Sequence, residues 1–362
     1  MHIRREKRTP WRALIVLAIV GAAIAATAAS AQHGRTMASG SMTAAVQSGP
    51  KMMLEGRVAP GTQPGPLRNC QKAGTCYGPD QIRVAYGVQP LLNKGITGAG
   101  RTIVIIDAYG SDTLSADVAE FDTYFGLPAP TLNMIYPDGP PSPTDPANAA
   151  GWKGETSLDV QWAHAIAPGA TIDLVVAKSN NDADILSATQ YVYDHNLGDV
   201  VSQSYGEAEQ CMDPTLLAQQ HKLFQKMSER GITLFASTGD NGAAQLSCDG
   251  SEYIKAISSP ASDPNVTGVG GTTLIATPPT AKPDGTVNTV GGTYQSESAW
   301  NETALLGGPA ATGGGVSSIY KKPLYQYLVP SIRRLEHALA AGHLVQRSRV
   351  QRRARVLHLR CR

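Results

Sequence analysis

The chain has 362 residues, 42% of them apolar, which supplies a real core for one large domain or two ordinary ones. Its net charge of +2 hides an asymmetry: residues 327–362 hold nine Arg against one Glu, so the remainder is mildly acidic. No Cys/His spacing resembles a zinc site, so a structural metal of that kind is not expected, and the 37 Gly and 24 Pro imply many loops.

Residues 1–31 have the layout of a secretory signal peptide. Arg4, Arg5, Lys7, Arg8 and Arg12 form a basic start, Ala13 to Ala26 an apolar stretch, and Ala29-Ser30-Ala31 a small-x-small cleavage site. A secreted or extracytoplasmic body follows from this, with an uncleaved anchor as the alternative. Cys70–Cys76 and Cys211–Cys248 are the expected disulfides of an oxidising compartment, leaving Cys361 over. Residues 32–76 are rich in Gly, Pro, Ser and Gln without periodicity, and read as a linker or short pro-segment.

The texture changes at Tyr77. Arg101 to Asp107 is a nearly continuous apolar run, the mark of a strand buried on both faces. Gly98-Ala99-Gly100 precedes that strand rather than following it, which is the wrong order for a dinucleotide fingerprint. A helix around Ala116–Phe125, a Pro-rich loop from Pro128 to Pro146 and an acidic helix come next. Then follow a strand at Thr171–Val176, a helix from Asp182 to His195 and a strand at Asp199–Ser204. A long helix Pro214–Arg230 and strands at Gly231–Thr238 and Val266–Gly270 close the series. No element is assigned between Ala276 and about Gly314. The alternation predicts an α/β fold with a parallel sheet and helices on both faces. Functional sites of such sheets lie beyond the carboxyl ends of the strands, where Asp107, Ser204-Tyr205-Gly206 and Ser237 to Gly242 fall.

The acidic helix, Gly154 to His164, carries the strongest functional signal. At about 100° per residue, Leu158, Trp162, Ala165 and Ile166 form an apolar stripe, and Glu155 and Asp159, four apart, point into it. Ser157 and His164 fall on the opposite, polar side. Two carboxylates on a buried face are expensive to desolvate. They are either structural acids held by hydrogen bonds or a catalytic pair whose pKa values are separated by burial and repulsion.

Several segments in order resemble the sedolisins, the serine-carboxyl peptidases. These are Gly154-Glu155-x-x-x-Asp159, Ser204-Tyr205-Gly206, Ser237-Thr238-Gly239-Asp240 and Val269-Gly270-Gly271-Thr272. Tyr77-Gly78-Pro79, Gly313-Gly314-Gly315-x-Ser317 and Pro323-x-Tyr325-Gln326 are similar too, so the resemblance covers residues 77–326. It implies a subtilisin-like α/β fold missing its C-terminal part, and acid proteolysis of a polypeptide substrate near pH 3–5. Glu155 would be the general base, Asp159 its orienting partner and Asp240 a protonated oxyanion-hole donor. Ser204, Tyr205 and Gly206 would bind the substrate backbone as an added strand. No cofactor and no metal ligand is expected among these residues, since the family's calcium site lies in later aspartate-bearing loops that have no counterpart here.

The family's nucleophile sits in a Gly-Thr-Ser element, and that tripeptide occurs nowhere in the 362 residues. Ser317, Ser318, Ser331 and Ser348 lack the glycine context. An inactive chain is expected, with residues 327–362 an Arg-rich tail read out of frame. The alternatives are a peptide-binding pseudoenzyme and a basic-tail binding protein on an α/β scaffold. No nucleic-acid or membrane partner is favoured, and a monomer is expected.

Overall fold

A computed structural model describes residues 77–141, 146–277, 280–281, 287–288, 291–303, 308–330 and 334–341. At its centre is β1 (Thr102–Ala108), six of whose seven residues are buried, as cover on both faces demands. Around it stand β2 (Thr131–Ile135), β3 (Thr171–Ala177), β4 (Val200–Gln203), β5 (Thr233–Ser237) and β6 (Val266–Val269). All pair in parallel in the order β6-β5-β4-β1-β3-β2.

Alternation along β1 divides the core. Val104, Ile106 and Ala108 face α4 (Asp182–Asp194) and α5 (Pro214–Arg230), where Ile185, Val192, Phe224 and Met227 meet them. Ile103 and Ile105 face the other way, toward Val160, Ala163 and Ile166 of α3 (Pro146–Ile166). Leu114 and Val118 of α2 (Leu114–Phe125) and Ile82 of α1 (Pro79–Ala85) complete that layer. Each of the Val, Ile, Leu, Phe and Met side chains among them contributes roughly 1.5–3 kcal/mol by leaving water. The start and stop of α5 are written locally. Asp213 accepts from the Thr215 and Leu216 amides at 2.8 and 3.1 Å, Pro214 opens the helix, and Gly231 ends it at φ 89°.

Three expectations are corrected. The Pro-rich loop contains β2, an edge strand missed because its exposure does not alternate cleanly and Pro flanks it. The segment after Ala276 contains β8 (Tyr294–Ala299), which pairs antiparallel with β7 (Thr272–Ala276). Its sequence is too polar to announce a strand. His164 is wholly buried rather than on an exposed face. The reason is that α3 is covered twice, by the sheet and by α2. His164 Nε2 donates to the Pro128 carbonyl at 2.6 Å and stands 3.4 Å from Asp122, while Ser157 donates to Asp117 at 3.1 Å. Also buried on α3 are Trp152, Thr156, Val160 and Ala163, whereas Leu158 and Trp162 of the expected stripe are only half-buried.

Beyond Lys321 the chain stays with the body. β10 (His337–Ala341) pairs antiparallel with β9 (Gly314–Lys321), and Ala338 and Ala340 are buried. Cys211 and Cys248 form the expected disulfide. The other expected pair, Cys70–Cys76, lies outside the described residues, as do the signal and linker segments and the tail beyond residue 341. Among the described residues no helix is long and apolar enough to cross a membrane.

Candidate active site

Three carboxyl groups flagged by the sequence converge beyond the carboxyl ends of β1, β4 and β5. Glu155 and Asp159 sit one turn apart on α3, and Glu155 is only 8% exposed. Two residues, Thr238 and Gly239 (φ 89°), separate Asp240 from the end of β5, a turn that glycine makes without strain. The three are close enough to interact. Glu155 is pushed well above the usual carboxylate range, first by burial and then by the charges of Asp159, Asp107 and Asp240. Burial raises Asp159 to about 6, with the Ser204 hydroxyl acting the other way, and raises Asp240 to about 7.

A fourth member was not assigned a role from sequence. Asp107, on β1, is wholly buried, and neither of its carboxylate oxygens finds a hydrogen-bond partner among the described residues. Burial and the Asp159 charge hold its pKa far above the ordinary value. The Thr156 hydroxyl nearby lowers it somewhat, without the geometry of a hydrogen bond. The signal was present: one acid ends an otherwise apolar strand at the edge where sites form.

An aromatic wall supports the acids. Trp152, one turn before Glu155 and 0% exposed, packs on Tyr205 with ring centroids 6.2 Å apart. The Tyr205 hydroxyl donates to Gln203 Oε1 at 2.9 Å. The Tyr205 ring is therefore enclosed in the core, 1% exposed. Ser204 and Gly206 on either side are half-buried. A Cβ at Gly206 would come within 2.0 Å of Ser258 Oγ, so a larger residue would displace the neighbouring segment. Among the described residues no cluster of three or more His, Cys, Asp and Glu is arranged to hold a metal ion.

A parallel sheet with helices on both faces and paired acids on α3 defines the chain as a subtilisin-like α/β protein with a carboxyl-rich site. No family profile matches the chain. Individual relatives do. Kumamolisin of Bacillus sp. (strain MN-32) is 32% identical over 264 residues, covering 72% of this chain and 43% of its own. Sedolisin of Pseudomonas sp. (strain 101) is 31% identical over 270 residues, covering 71% and 42%. The solved structure of Pseudomonas sedolisin, a serine-carboxyl proteinase complexed with two molecules of pseudo-iodotyrostatin, superposes with a TM-score of 0.58. It is 25% identical, and the match covers 73% of this chain and 68% of that one. The chain belongs to the sedolisin family. It spans 43% and 42% of the length of these two curated relatives.

Proposed function

We propose that the chain carries the acid machinery of a serine-carboxyl peptidase and takes an extended polypeptide as its ligand. The observation that carries this reading is the gathering of Glu155, Asp159 and Asp240 at one sheet edge. They are buried deeply enough to keep protons where exposed carboxylates are ionised. Glu155 is the general base toward a serine hydroxyl in its ionised form, and its raised pKa makes that form a stronger proton acceptor, though a scarcer one at acid pH, than an exposed Glu. Asp159 orients it from the next turn of the helix, as a third group orients the base of any triad. Asp107 acts through both: with four acids this close, ionising one keeps its neighbours protonated. Asp240, neutral below about pH 7, donates a hydrogen bond to the developing oxyanion. The backbone of Ser204, Tyr205 and Gly206 pairs with the peptide as an added strand.

The 362 residues hold no Gly-Thr-Ser, so this chain binds peptide without turning it over. Oxyanion stabilisation and binding alone leave only about 10³–10⁴-fold over water in a related catalytic design. The reading also takes residues 1–31 to direct export, residues 77–326 to be the peptidase-like domain and the product to be a monomer. The test pairs digestion of acid-denatured protein at pH 3–5 with calorimetric titration of an extended peptide. Binding is expected to be strongest at acid pH and to weaken in Glu155→Gln and Asp240→Asn, with negligible cleavage. Efficient cleavage lost in Glu155→Gln would mean that a serine of this chain completes the site. Binding indifferent to both variants would sink the proposal.

A further inference from the structure

Glu209 is a buried charge that the site described above does not use. It is 1% exposed, and its backbone amide bonds the Ile257 carbonyl at 3.0 Å. Its carboxylate grips one stretch of β9. Oε2 accepts from Ser317 Oγ at 2.8 Å, and Oε1 accepts from the Ser318 amide at 2.5 Å and the Ser318 hydroxyl at 2.8 Å. A buried carboxylate is tolerated only when its lone pairs are met in this way.

What that grip holds lies a few residues earlier. Residues 311–313 run against the loop that carries Asp240. The Ala311 amide bonds the Asp240 carbonyl at 2.8 Å, the Gly313 amide bonds the Gly239 carbonyl at 2.5 Å, and the Gly242 amide bonds the Ala311 carbonyl at 2.9 Å. The approach is so close that a Cβ on Gly313 would fall 1.8 Å from the Thr238 carbonyl oxygen. Across from them the Thr312 amide bonds the Trp300 carbonyl at 2.9 Å. The Asp240 loop is thus braced by a strut, and the strut runs straight into the serines that Glu209 holds. Glu209 itself lies three residues past Gly206.

We infer that Glu209 is a positioning residue for Asp240. By holding Ser317 and Ser318 it presses 311–313 against 239–242, and so sets the distance between the Asp240 carboxyl and the peptide-pairing backbone of 204–206. The mechanical link stands on these bonds alone; its catalytic meaning rests on the proposed reading of Asp240 as an oxyanion donor. Burial is the cause of Asp240's elevation, and its charge in turn acts on Glu155, so a loosened strut that admits water reads out as a lower Asp240 titration midpoint.

The experiment follows the Asp240 and Asp159 carboxyls by carbon-detected NMR titration, and amide exchange at Gly242 and Ala311, in the full chain. In Glu209→Ala the Asp240 midpoint is expected to fall from about 7 toward 4, while Asp159 stays at about 6. Exchange at Gly242 and Ala311 quickens by about tenfold or more. Glu209→Gln, which keeps one acceptor oxygen, restores most of the shift. An Asp240 midpoint unmoved in folded Glu209→Ala, or one that moves equally with Asp159, overturns the inference. If Glu209→Ala does not fold, Ser318→Ala removes one of the three bonds and reads the same midpoint; no shift there is equally fatal. Failure of the catalytic reading looks different: Asp240→Asn would leave peptide binding intact while the Glu209→Ala shift persists.

Discussion

Substituting Asp240 by Asn should flatten the pH dependence of stability. Asp240 titrates at about 7 in the folded protein against a model-compound value of 3.8, because burial penalises its charge. The folded state therefore binds more protons than the unfolded state between these values, so stability falls as pH rises through that window. The contribution is fully present below about pH 4 and lost above about pH 7. About three units at 1.36 kcal/mol each give roughly 4 kcal/mol, an upper figure once solvent screening is allowed for. Asn has the same shape and no charge to desolvate. Urea unfolding at pH 3 should find the variant within about 1 kcal/mol of the parent, and at pH 8 more stable by up to about 4 kcal/mol. A parent whose stability is flat from pH 4 to 7, or a variant that falls as steeply as the parent, would refute the reasoning.

Other outcomes follow from the same geometry. Asp107→Asn removes one of the charges raising Glu155, so the Glu155 midpoint should drop, read by NMR titration; an unchanged midpoint would separate Asp107 from the site. Trp152→Ala empties a wholly buried site and should cost about 3–5 kcal/mol in urea unfolding, with Tyr205 losing its ring contact. The Cys211–Cys248 bridge spans 37 residues, so Cys248→Ser should cost about 4 kcal/mol in a chain-entropy account; a loss under about 1 kcal/mol would rule that account out. His221 donates to Asp263 at 2.7 Å, which raises its pKa. That pair stabilises the fold fully below the ordinary histidine pKa and releases its share as pH climbs through the raised value, and Asp263→Asn should return the His221 titration toward 6.5.

Much of this was legible in the residues because the signals were local. An apolar, β-branched run gave β1 and β3, and Asp213-Pro214 with Gly231 gave both ends of α5. Four-residue spacing placed Glu155 and Asp159 together; position put the whole stretch from Ser237 to Gly242 at the sheet edge, and the resemblance to the sedolisins picked Asp240 out of it. What failed depended on tertiary cover. His164 reads as a surface residue on a helical wheel, yet α2 closes over it. β8 pairs with β7 through its backbone and through Glu297, which accepts from the Thr272 hydroxyl, and Tyr-Gln-Ser-Glu-Ser-Ala carries no apolar alternation to reveal it. Asp107 shows how distance in sequence conceals proximity. Its nearest interacting acids, Glu155 and Asp159, lie on a helix some fifty positions later, and only the crossing of β1 by α3 unites them.

The central claim is that these acids form one interacting, desolvated site. Its most direct test is the carbon-detected titration of Glu155, Asp159 and Asp240 in the folded chain from pH 2 to 9. The account predicts Asp159 near 6, Asp240 near 7 and Glu155 well above the ordinary glutamate value, with Glu155 falling when Asp159 is changed to Asn. Three independent midpoints near those of exposed carboxyl groups, unmoved by that substitution, would contradict it.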